Sequence, residues 1–114
     1  MKLIAKGEKI SRDELRQIAE KMFGNLVKAV VDVEKGIMAV DADLHADEEA
    51  FLLNEGSEQK NLWGINLYPE MEGEDFVEFD SMINLRPSQN NRSSGVENLE
   101  IRKKILEIVD TLVE

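Results

Sequence analysis

Three side chains near the middle of the chain have the types and spacing of a ligand set: Asp41, Asp43 and His45, within the stretch DADLH. Alternate residues of an extended strand share a face, so these three would present two carboxylates and one imidazole together. Oxygen donors with a single imidazole suit magnesium, manganese, non-haem iron or zinc. Asp80, expected on the same side of a later strand, would complete the outline of a metal-assisted hydrolase. His45 and Asp80 alone also have the makings of a general base oriented by a carboxylate, since imidazole titrates near neutrality. The competing reading is structural: Val40, Ala42 and Leu44 take the core side, and the polar residues between them are the wet side of one strand. The spacing matches no recognised metal motif, and His45 is the only histidine, which excludes every two-histidine site.

A second group lies in NLRPSQNNRSSG, residues 84 to 95, which holds two arginines and no acid in a chain of net charge -10. Arg86 and Arg92 offer guanidinium forks, and Asn84, Asn91 and Ser93 add uncharged hydrogen-bonding groups. The segment runs into the start of a helix, where free backbone amides favour an anion. An anionic small molecule or an acidic peptide terminus is the ligand such a loop would take. In the alternative, both arginines pair with the protein's own acids, Glu78, Asp80 or the cluster at residues 70 to 75, and the Asn and Ser side chains form turns.

Other chemistries are excluded or unsupported. The absence of cysteine removes disulfides, thiol nucleophiles and thiolate zinc sites. No GxSxG, P-loop, GxGxxG or kinase signature is present, so nucleotide chemistry of the common kinds has no support and the cofactor is left unknown. Residues 41 to 80 carry thirteen acids against one base, whereas the flanking thirds are close to balance. A field of that sign repels polyphosphate backbones, so general nucleic-acid binding is not expected. The N-terminus is too polar for a signal peptide, and no apolar run approaches the roughly 20 residues of a membrane span. A cytoplasmic protein without a membrane partner is the expectation.

The elements that must position these groups can be read from periodicity. Ser11-Arg12-Asp13-Glu14 has the form of a capping box, with Ile10 and Leu15 at staple spacing. A helix over residues 12 to 23 follows, closed by Gly24. LVKAVVDV and IMAVDADL flank Glu34-Lys35-Gly36 and predict a β-hairpin with Gly36 at positive φ. HADEEAFLLNEG predicts a second helix with its acids near the N-terminus and Ala50, Leu52 and Leu53 inside. LWGINLY and FVEFDSMINL predict a second hairpin, with Val77, Phe79, Ser81, Ile83 and Leu85 sharing a face. A last helix starts at Glu97 or Asn98 and carries a stripe of Ile101, Ile105, Ile108 and Leu112. Leu3 to Ala5 is a candidate extra strand.

The order α-ββ-α-ββ-α defines a single α+β domain over residues 1–114, a mainly antiparallel sheet packed against helices. Trp63, Tyr68 and Phe76 border the second hairpin, and an exposed aromatic edge there would favour a homodimer or an added partner strand.

The segments KAVVDVEKGIMAVDADLHADEEAFLL, LWGINLYPE, FVEFDSMINLRPSQNNRSSGVE and EIRKKILEIV together give the chain a resemblance to known proteins. It resembles a family of small bacterial and archaeal proteins classed only as a domain of unknown function. The family favours Gly-Asn-Arg-Ser where this chain has Asn90-Asn91-Arg92-Ser93, and Asp-Pro where it has Asn98-Leu99. The resemblance implies one compact domain and carries over no activity.

Overall fold

A computed structural model describes the whole chain, Met1–Glu114. Five strands form one antiparallel sheet: β1 (Lys2–Ile4), β2 (Val27–Asp32), β3 (Ile37–Val40), β4 (Leu62–Leu67) and β5 (Val77–Glu78), in the order β1-β3-β2-β4-β5. Three helices cover it: α1 (Arg12–Lys21), α2 (His45–Asn54) and α3 (Leu99–Leu112). The α+β class, the element order and the candidate strand near residue 3 all hold.

Alternation along the central strands sorts the core into two layers. Ala29 and Val31 of β2, Met38 and Val40 of β3 and Trp63, Ile65 and Leu67 of β4 meet Leu15, Ile18, Ile105, Val109 and Leu112 of α1 and α3. Val30, Ala39 and Leu62 on the other face meet Leu52 of α2. Every residue of β4 is buried, because helices lie over both faces of the sheet there.

Several local expectations change. Ser11 caps α1 through its hydroxyl, which accepts from the Glu14 amide at 3.1 Å. Glu14 does not reciprocate; its carboxylate pairs with Lys2 Nζ at 2.7 Å, where a charged partner outcompetes a backbone donor. In α2 the inward face is His45, Glu48 and Leu52, whereas Ala50 is exposed and Leu53 is 41% exposed. The expected strand through residue 44 ends at Val40, because Asp41 turns the chain with φ 70. Leu44 consequently faces solvent and Asp41, Asp43 and His45 do not share a strand face.

The largest departure is at the last strand. β5 holds two residues, not the ten expected, and residues 82 to 84 form a 3-10 turn, with the Ser81 hydroxyl accepting from the Ile83 amide at 3.3 Å. The edge of β4 beyond β5 is nevertheless paired, by side chains. The Asn84 amide donates to Gly64 O at 2.9 Å and accepts from Gly64 N at 2.8 Å, which is how a neighbouring strand would bind it. Arg86 continues the same edge by donating to Leu62 O, and to Gln59 O at 2.6 Å. Gly64 is required by this arrangement: a Cβ there would fall 2.5 Å from Ser81 Cβ.

Candidate functional site

The arginine loop turns inward. Arg86 is 8% exposed, and its guanidinium lies 4.3 Å from the centroid of the Trp63 ring. Nε donates to Ile83 O, Nη1 to Gln59 O and to Gln89 Oε1, and Nη2 to Leu62 O. Four of its five N–H groups are therefore used within the protein. Burial lowers its pKa and the charge of Glu49 raises it, but no acid lies within ion-pair distance. Of the expected partners, Glu78 is engaged elsewhere: its Oε1 accepts from Tyr68 Oη at 2.8 Å and from Asn66 Nδ2 at 2.9 Å.

Pairing of Arg86 with Glu78 or Asp80 is thus overturned, because the side chain runs under the edge of β4 and its charge is dispersed over carbonyl dipoles and an aromatic face.

Asn91 is buried like Asn84. Its Nδ2 donates to the carbonyls of Asn84 (2.7 Å), Ser93 (3.2 Å) and Gly95 (2.8 Å), and its Oδ1 accepts from Glu97 N at 2.8 Å. Ser93 Oγ accepts from the Gly95 amide at 3.2 Å. Arg92 is exposed, makes no ion pair, and has its backbone amide bound by the Glu97 carboxylate. Asn90 stands at φ 61, a left-handed conformation that asparagine tolerates better than most residues. Much of the loop's polar density thus builds local structure, while the side chains of Ser88, Asn90 and Arg92 face solvent without a hydrogen bond.

His45 and Asp80, by contrast, come together. Both line a recess of ≈380 Å³ between the start of α2 and the segment after β5, with Lys28, Asn66, Ser81 and Met82. His45 is 8% exposed, and its Nε2 lies 2.8 Å from Ile65 O. A carbonyl only accepts, so Nε2 carries the proton and a neutral ring leaves Nδ1 as a bare acceptor. Burial holds the His45 pKa below the usual 6.5; the Ile65 carbonyl opposes this, Lys28 adds to it, and Asp80 and Asn66 oppose it more weakly.

Asn66 is oriented by its neighbours. Its Nδ2 donates to the Glu78 carboxylate and to Asp80 O (3.3 Å), so the other end of the amide must be the oxygen. That oxygen is buried and makes no hydrogen bond of good geometry; a neutral His45 ring offers it no proton, and only the charged ring would. Lys28 Nζ rests 4.9 Å from the Phe23 ring centroid, and neither it nor the exposed Asp80 carboxylate forms an ion pair. Asp41 and Asp43 do not line the recess, and no group of three or more His, Asp or Glu side chains gathers around a common point.

One turn along α2 from His45 sits a residue that periodicity missed. Glu48 is fully buried and neither carboxylate oxygen has a hydrogen-bond partner. Burial pushes its pKa up to about 10, with the Ala42 backbone and Lys28 pulling down and Asp41 and Asp47 adding to the rise. In sequence it is one of three consecutive acids early in the helix, a pattern read as complementing the macrodipole. The signal that could have found it is the i, i+3, i+7 phase linking His45, Glu48 and Leu52.

A larger groove, ≈710 Å³, lies under α3 and is lined by Arg12, Phe76, Leu99, Arg102 and Leu106 among others. Its two arginines are already held, Arg12 over Phe76 and on the carbonyls of Pro69 and Met71, Arg102 over Phe79 and on Val96 O. No unsatisfied buried polar atom belongs to its lining, so the smaller recess carries more chemistry.

Fold and site together define a small α+β domain with one polar recess between its second helix and the edge of its sheet. The family model described as "Protein of unknown function (DUF5674)" matches residues 3–112, and the chain belongs to that family. No curated protein and no solved structure matches it. No helix is long and apolar enough to cross a membrane.

Proposed function

We propose that this protein is a binding domain for a small polar molecule, and that its site is the recess formed by Lys28, His45, Asn66, Asp80 and Ser81. The observation that carries the reading is the Asn66 oxygen, buried in the lining of the recess without a donor. An unsatisfied buried acceptor costs about 1–3 kcal/mol, and a ligand that supplies the missing hydrogen bond recovers that cost. The volume of ≈380 Å³ is within the range of small-molecule sites.

The loop of Asn84, Arg86, Asn91, Arg92 and Ser93 serves this site as a scaffold in our reading. Asn84 and Arg86 hold the edge of β4 that presents Asn66. The anionic contact expected of the two arginines passes in our reading to Lys28, a residue of the recess lining that forms no ion pair.

The test is amide-resolved NMR of the 15N-labelled protein against a library of polar fragments. Saturable shifts centred on residues 28, 45, 66 and 80 to 83 support the reading. Shifts confined to residues 86 to 93, with His45 and Asn66 silent, would return the site to the arginine loop.

A further inference from the structure

We infer that the ligand of this recess is a zwitterion, a small molecule with an ammonium group at one end and a carboxylate at the other; this rests on the recess being the binding site. Three hydrogen-bond acceptors line it and lack donors. Asn66 Oδ1 is one, buried and without a partner. His45 Nδ1 is the second, since the close hydrogen bond of the ring runs through Nε2 and the Asn66 oxygen can accept from Nδ1 only when the ring is charged. The Asp80 carboxylate is the third, free of hydrogen bonds and ion pairs although its own backbone carbonyl is tied to Asn66.

The residues that carry the three acceptors all line the one recess. An ammonium has three N–H donors, one for each acceptor. An anion at the same position would face three lone pairs and gain nothing.

Lys28 supplies the other half. It is a half-buried cation on the floor of the sheet, it lines the same recess, and no acid neutralises it. Its position on β2, next to β4 in the sheet, sets Lys28 opposite Asn66 in register, so the two sites are neighbours. Two opposite charges that line one recess without pairing with each other select a ligand with both signs. Neutral amides satisfy the acceptors but leave Lys28 and Asp80 without counter-charges.

The inference is tested by titrating the full chain with ω-amino acids from glycine to 6-aminohexanoate, alongside butylammonium and butyrate, while following the His45 ring and the Asn66 side-chain amide by NMR. At least one ω-amino acid is expected to bind tenfold or more tightly than either single-charge probe. Asp80→Asn, at an exposed side chain without bonds, should weaken that ligand about tenfold while butyrate binds no more weakly than before. Lys28→Met should abolish the preference over butylammonium. Butyrate or butylammonium binding as tightly as every ω-amino acid overturns the zwitterion while leaving the recess as the site. Absence of any shift at His45 and Asn66 with all probes overturns the site as well.

Discussion

Replacing Glu48 by methionine should make the protein more stable, by an amount that grows with pH. The side chain is fully buried, both of its oxygens lack partners, and burial pushes its pKa from 4.5 to about 10. Folding therefore takes up a proton at this position whenever the pH lies between those values. A carboxyl with a raised folded pKa contributes most below the unfolded pKa and loses that contribution as pH rises toward the folded one. The loss is about 1.4 kcal/mol per pH unit.

From 4.5 to pH 7 the cost comes to about 3 kcal/mol, and it does not depend on the exact folded value while that stays above 8. Methionine has the same unbranched reach, carries no charge and needs no hydrogen bond. Urea unfolding of both proteins at pH 5.5, 6.5 and 7.5, followed by circular dichroism, gives the difference directly. The range stays above the isoelectric point of ≈4.6, where the chain would lose its charge and associate. Parallel stability curves would show that Glu48 does not change protonation on folding. A less stable Glu48→Met at all three pH values would show a charged carboxylate held by Lys28, and the reasoning would fail.

Other substitutions probe the edge of β4. Arg86→Ala strips the buried Leu62 carbonyl and its neighbours of their donors, and a loss of about 3 kcal/mol is expected in urea unfolding; an unchanged midpoint would deny the guanidinium this role. Asn84→Ala frees both polar groups of Gly64 and should cost about 2 kcal/mol or more, with faster amide exchange at Gly64 as the local readout. Gly64→Ala forces a Cβ to 2.5 Å from Ser81 Cβ and should cost about 1–3 kcal/mol, partly restored by Ser81→Gly in the double variant. His45 has a lowered pKa, so its contribution to stability is complete above the unfolded value of 6.5 and is lost as pH falls toward the folded one; NMR titration of the ring should give a midpoint below 6.5.

What could be read from the residues follows a physical division. α1 and α3 announce themselves because local groups decide them: Ser11 and Asn98 cap them, and their apolar stripes have a period that survives without knowledge of the partner. β2 and β3 are legible for a similar reason, since Gly36 fixes the turn between two β-branched runs.

The strand expected over residues 76 to 85 failed because its pairing partner is not a strand. Asn84 and Arg86 supply the missing ladder from side chains, and nothing in an alternating pattern separates a residue that occupies a strand from one that replaces it. DADLH failed as a ligand set for one residue's conformation, the left-handed turn at Asp41. His45 and Asp80 still meet, from a helix start and a loop in place of two strands. Asn66 and Glu48 were invisible as site residues, since their importance lies in partners they lack.

The single histidine offers the most direct measurement of the central claim. A long-range 1H–15N spectrum at pH 7 contains one imidazole, that of His45. The account predicts a protonated Nε2, held by Ile65 O, and a bare Nδ1 whose resonance moves when an ω-amino acid is added. A ring protonated on both nitrogens at that pH, or an Nδ1 signal indifferent to every such ligand, would contradict it.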